Sequence, residues 1–165
     1  LIFTDMDLEE DARWKMNPPL RSAEDRAALV EGIKDGTIDM IATDHAPHSV
    51  EEKSRGLKDS AMGIVGLETA FAALNTHLVR KGVITMERLV ELMSLNPRKV
   101  FRIAGGLNEG DRADVVLLDT EKEWRVDSEK FYSMGKITMF DGREMTGDVV
   151  MTLHRGEVVY DNKNK

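Results

Sequence analysis

The sequence predicts an α/β fold that ends in a small β-rich segment, and three observations carry that prediction. Residues 14–43 read as short strand, helix and apolar run, the order of a βαβ unit with a parallel sheet. The apolar run 38–43 ends directly on Asp44, as a strand does when it delivers an acid to the rim of a pocket. After Gly105-Gly106, helical periodicity gives way to strand-like runs, which places a boundary near residue 105. Residues 1–104 form the α/β part on this reading, and residues 105–165 form the β-rich tail.

The elements follow in order. Residues 5–11 are acidic and read as an exposed loop, and residues 14–17 as a brief strand stopped by Pro18-Pro19. Ser22 caps the next helix, with Asp25 as its capping partner, Leu29, Val30 and Ile33 as the buried stripe and Gly36 as the stop. Residues 50–60 are polar and read as a surface loop. Ile64, Leu67, Phe71, Leu74 and Leu78 recur at steps of three and four, which predicts an amphipathic helix ending near Gly82 and carrying His77 at its boundary. Thr85 starts another helix around Leu89, Val90 and Met93, which Asn96-Pro97 breaks and restarts. In the tail, residues 115–118 read as a buried strand. Arg155-Gly156 reads as the turn of a hairpin, with His154 solvated beside it.

The chemistry concentrates at Asp44-His45-Ala46-Pro47-His48. Pro47 pushes Ala46 out of the α region, so His45 and His48 are two loop groups and not a helical metal-binding pair. The same string also fits an Asp that caps a turn beside two solvated histidines.

Composition narrows the classes. A chain of 165 residues can bury one core, and a net charge of −7 argues against a nucleic-acid or anionic-membrane surface. No apolar run approaches the ~20 residues of a membrane span. Zero cysteines exclude disulfides and thiolate metal sites, so any metal is held by His, Asp or Glu, and a cytoplasmic location is expected.

Three strings resemble the dihydroorotases, specifically the class I enzymes of the amidohydrolase superfamily. They are Asn17-Pro18-Pro19-Leu20-Arg21, Ala42-Thr43-Asp44-His45-Ala46-Pro47-His48 and Gly66-Leu67-Glu68-Thr69-Ala70. Closing segments agree: Asn96-Pro97-Arg98-Lys99-Val100-Phe101 and Gly110-Asp111-Arg112-Ala113-Asp114-Val115. One departure is Met139-Phe140, where that family commonly has Pro-Phe. Hydantoinases and allantoinases share the architecture and the Asp but usually vary at the Asn-Pro-Pro-Leu-Arg and Asp-His-Ala-Pro-His strings.

The resemblance implies the C-terminal part of a TIM-type (β/α)8 metallo-hydrolase barrel followed by part of a small β-sandwich. It implies interconversion of N-carbamoyl-L-aspartate and L-dihydroorotate in pyrimidine biosynthesis, with two zinc ions. Asp44 would be a metal ligand and the catalytic proton carrier, while Asn17, His48 and the backbone at Met62 and Gly63 would bind substrate. His45 is expected to be structural or to support the residues that touch the metals, and Arg21 to be a salt-bridge or loop-ordering residue and not a substrate ligand. The family's His-x-His pair, bridging group and further histidines have no match here. The chain also begins at Leu1. The expectation is therefore a C-terminal fragment, inactive alone, whose partners are the missing N-terminal part and possible copies of itself or aspartate transcarbamoylase. A catalytically silent dihydroorotase-like subunit is the reading of another class.

Overall fold

A computed structural model describes residues 1–162, which divide into two compact units. The first comprises residues 1–70 and 125–144, and the second residues 71–124 and, of the described residues, 145–162.

In the first unit, helix α1 (Ala23–Asp35) starts and stops as its sequence requires. Ser22 Oγ accepts from Asp25 N–H at 3.2 Å, Glu24 and Asp25 place negative charge in the first turn, and Gly36 closes the helix in the left-handed region. Gly32 and Ile33 are its buried residues, whereas Leu29 of the expected stripe is exposed. Gly32 O accepts from Ile38 N–H at 2.8 Å, which folds the following segment back along the helix.

Residues 38–43 form no ladder with other described residues, which corrects the expected strand. A strand exists only through its inter-strand bonds. Here the neighbouring segment meets single bonds instead: Ala46 N–H to Ile64 O at 2.9 Å and Val65 N–H to Ile137 O at 3.1 Å. The expected strand at 14–17 is likewise replaced, by a 3-10 turn over Ala12–Trp14 that Asp11 caps. Its Trp14 is buried, and Phe3 meets it edge-on at 5.1 Å between ring centroids. Arg143 lies over the Phe3 ring at 4.7 Å, a cation–π contact. Phe140 packs on Phe3 and Met139 is buried, so the departure at Met139-Phe140 lies in this unit's core. The stretch read as a surface loop carries a short helix, α2 (Gly56–Asp59), and two buried polar residues, Lys53 and Ser60.

In the second unit, helix α3 (Ala70–Leu74) passes into a π-helical stretch over Asn75–Val79. The 3.6-residue pattern that begins at Ile64 overestimates this helix, which starts at Ala70; Leu67 lies outside it and is exposed. Thr85 caps α4 (Met86–Val90), as expected. The next turn, Glu91–Leu95, is π-helical and runs without a break into α5 (Asn96–Phe101). The predicted break at Asn96-Pro97 is absent, because a wide turn ahead of Pro97 accommodates its ring and missing N–H.

Strands β1 (Val115–Arg125), β2 (Glu144–His154) and β3 (Glu157–Asp161) form one sheet in that order. The β2–β3 hairpin turns at Arg155 and Gly156, both at positive φ, as a primed turn needs. His154 is not merely solvated: its Nδ1 lies 3.2 Å from Asp114 Oδ1, and Asp114 also accepts from Arg155 N–H. Val116 and Leu117 are about half exposed, so the strand is where expected but its burial is not.

The core of this unit is Leu74, Leu78, Ile84, Leu89, Leu92 and Met145. Each fully buried aliphatic side chain contributes about 1.5–3 kcal/mol. Asn75 is 1% exposed and donates from Nδ2 to Thr120 O and Thr146 O, which locks the helix to the sheet. A Cβ on Gly147 would sit 2.8 Å from Phe71, so only glycine permits that approach.

Candidate functional site

The candidate residues fall within the first unit, on loops held by its short elements. Asp44 has φ 47°, in the left-handed region that Asp tolerates better than most residues. It is exposed, and its carboxylate makes no hydrogen bond among the described residues. The chain on either side is braced. His45 Nδ1 accepts from Gly66 N–H at 3.1 Å and Leu67 N–H at 3.4 Å, and Ala46 N–H donates to Ile64 O. His45 is thus a structural tie, as expected.

Three residues beyond His45, His48 Nε2 lies 2.9 Å from Met62 O. A carbonyl can only accept, so Nε2 carries the proton of the neutral ring. His48 Nδ1 looks toward Glu52, 3.8 Å away. Ser49 N–H and Oγ hold that carboxylate at 2.8 and 2.9 Å and keep its pKa below the ordinary range. Gly135 packs against this turn so closely that a Cβ there would meet His48 N and O at 2.9 Å.

The Met62-Gly63 loop is tied at nearly every backbone group. Lys53 Nζ donates to Ala61 O at 2.9 Å and Gly63 O at 2.8 Å, while Gly63 N–H donates to Lys15 O at 2.8 Å. Gly63 has φ 101°, and a Cβ on it would lie 2.6 Å from that of Ala46, so the loop requires glycine here. Burial and the charge of Lys15 push the Lys53 amine below the usual lysine range, against a weaker opposing pull from Asp11. Asn17 is exposed and makes no side-chain hydrogen bond among the described residues. It stands two residues beyond Lys15, and the Asn17–Pro18 peptide is cis. Arg21 pairs with Asp25 at 3.3 Å, the loop-ordering role expected of it.

Asp44, His48, Met62 and Gly63 are therefore gathered on interlocked loops, and Asn17 joins them through the Lys15–Gly63 bond. The sequence reading missed Lys53 and Glu68. Lys53 looks like one more charge in a polar stretch, and Glu68 had only its place in the Gly66-Leu67-Glu68-Thr69-Ala70 string. A metal is a different matter. Among the described residues no three His, Asp or Glu side chains come together as ligands. A catalytic zinc needs about three protein ligands. Asp44 alone does not make a metal site.

Comparison with known proteins adds lineage to this geometry. Residues 8–159 match the sequence model of the amidohydrolase family. The chain is 51% identical to a dihydroorotase of Listeria innocua over 168 aligned positions, which cover 100% of this chain and 39% of that protein. It is 49% identical to a dihydroorotase of Fusobacterium nucleatum, again over 100% of this chain and 39% of the relative. The chain thus spans about two fifths of the length of these curated relatives. Among solved structures it resembles the L-hydantoinase (dihydropyrimidinase) of Arthrobacter aurescens, with a TM-score of 0.88 at 39% identity over 96% of this chain and 37% of that one. It also resembles a dihydropyrimidinase from Brevibacillus agri, with a TM-score of 0.83 at 28% identity over 92% and 34%.

Proposed function

We propose that this chain, which belongs to the amidohydrolase family, is part of a metal-dependent cyclic-amide hydrolase that interconverts L-dihydroorotate and N-carbamoyl-L-aspartate. The observation that carries the reading is the His48–Met62 bond, which joins the histidine of the Asp-His-Ala-Pro-His string to the Met62-Gly63 loop, in a string whose Asp44 carboxylate has no hydrogen-bond partner among the described residues. Identity near 50% to dihydroorotases supports the choice of substrate.

Ring opening adds water across one C–N bond: hydroxyl goes to the carbonyl carbon and a proton to the leaving ring nitrogen. Asp44 is the group we assign to that proton, accepting it as carboxylate and returning it to nitrogen. Asn17 donates to the substrate carboxylate, and His48 does so from Nδ1 as the imidazolium, because Met62 O already takes the Nε2 proton, while the backbone at Met62 and Gly63 lies against the ring. Zinc, when bound in the whole enzyme, would supply an acidified water and polarise the attacked carbonyl. Asp44 is the one ligand that this chain offers it, so the remaining ligands and turnover belong to a longer protein. Residues 1–104 are then the last part of a (β/α)8 barrel and 105–165 part of a β-sandwich. The cytoplasm, self-association and aspartate transcarbamoylase belong to the same proposal. No described helix is long and apolar enough to cross a membrane.

A second reading, hydantoin or dihydropyrimidine hydrolysis, is favoured by the likeness to the Arthrobacter aurescens L-hydantoinase. Assay of the complete enzyme with dihydroorotate, hydantoin and allantoin separates the two. The Asp44→Ala enzyme should lose turnover on whichever substrate is used, and undiminished turnover would remove Asp44 from the mechanism.

A further inference from the structure

Glu68 anchors a directed hydrogen-bond chain that ends next to Asp44. Its Oε2 accepts from Tyr132 N–H at 2.7 Å. Its Oε1 accepts from Ser133 N–H at 3.0 Å and from Ser133 Oγ at 2.7 Å. An ionised carboxylate can only accept, so the Ser133 hydroxyl proton is committed to Glu68 and the lone pairs of Oγ are left to face outward. His45 Nε2 lies 3.5 Å from that oxygen. Because His45 Nδ1 already accepts from Gly66 and Leu67 N–H, the ring proton sits on Nε2, the atom that faces Ser133. Every donor in the series therefore points one way, from imidazole to hydroxyl to carboxylate.

We propose that Glu68 is a positioning residue, which acts through Ser133 and His45 to hold the Asp44 carboxylate in its working orientation. The inference rests on the reading of Asp44 as the proton carrier. Asp44 is a single peptide unit from His45, its side chain makes no hydrogen bond among the described residues, and its backbone sits in the left-handed region. Such a residue keeps its direction only if its neighbours are fixed. His45, tied at both ring nitrogens, is the neighbour that fixes it. Burial opposes ionisation of Glu68, but the Ser133 hydroxyl and the N–H groups of Ser133 and Tyr132 outweigh it, and its pKa is lowered. The carboxylate therefore stays the acceptor that the chain requires. A Glu68 that only tied down residues 131–134 would need no link to His45.

The test is steady-state kinetics of the complete enzyme with Glu68→Ala, Ser133→Ala and the double variant. The expected result is a fall in kcat of about 10- to 100-fold for Glu68→Ala with KM nearly unchanged, since orientation is lost but the binding loop is intact. Ser133→Ala should fall in the same direction, and the double variant should be no worse than Glu68→Ala alone. Wild-type kcat in Ser133→Ala would overturn the proposal, because that change leaves the backbone bonds to Glu68 and removes the hydroxyl that connects Glu68 to His45. It also decides the matter if Glu68→Ala does not fold. If the wild-type enzyme opens no cyclic amide, the functional reading fails by itself. The chain is then judged by the 15N signals of the His45 ring. An Nε2–H signal that shifts in Ser133→Ala, as its hydrogen bond to Oγ is lost, upholds it, and an unchanged Nε2 signal overturns it.

Discussion

The Nε2 of His48 lies 2.9 Å from the carbonyl oxygen of Met62, so the one N–H of the neutral ring is used to shape the loop. On the proposed substrate-binding role, His48 couples binding to loop order. We predict that His48→Ala raises KM for dihydroorotate by roughly 10- to 100-fold, the worth of a hydrogen bond to a charged group. His48→Gln keeps an N–H able to reach Met62 O and should raise KM less. Initial-rate assays over a substrate series check this, and equal effects of the two changes would separate the loop from the binding role.

Gly63 combines a φ of 101° with a site where a Cβ would lie 2.6 Å from Ala46 Cβ. Gly63→Ala should destabilise the protein by roughly 2–4 kcal/mol, from left-handed backbone strain together with overpacking. Chemical denaturation of the complete protein measures it. A loss below about 0.5 kcal/mol would mean that the loop relaxes freely.

Lys53 is buried and holds two carbonyls of the same loop. Lys53→Met preserves the stem and removes both bonds, but it also relieves the cost of burying the charge. The expected net loss is about 1–3 kcal/mol, with faster amide exchange at residues 61–64. Exchange measured by mass spectrometry should localise the change, and a uniform increase across the chain would argue against a local tie.

Glu68 supplies a pH dependence whose sign is set by its lowered pKa. The folded carboxylate gives up its proton more readily than the unfolded one, so its contribution to stability is fully present above the unfolded value. It is lost as pH falls through the lower folded value. Glu68→Gln should flatten that part of the curve of unfolding free energy against pH. Parallel wild-type and variant curves between pH 3 and 5 (roughly the range in which carboxylates titrate) would contradict the assignment.

Local rules made several features legible in the sequence. Ser22, Gly36 and Thr85 satisfy or close helix ends wherever they occur, and Arg155-Gly156 sets a primed turn whatever surrounds it. The proline within the Asp-His-Ala-Pro-His string likewise forbids a helical reading, and His45 and His48 do stand on a loop. Tertiary structure alone decided the rest. Whether residues 38–43 are a strand depends on ladder partners, and whether Leu29, Val116 and Leu117 are buried depends on what covers them. Neither is a property of the segment itself. The burial of Lys53 and the reach of Glu68 to Ser133, 65 residues away, are invisible to periodicity and composition, because a charge discloses its partner only when folding brings the two together.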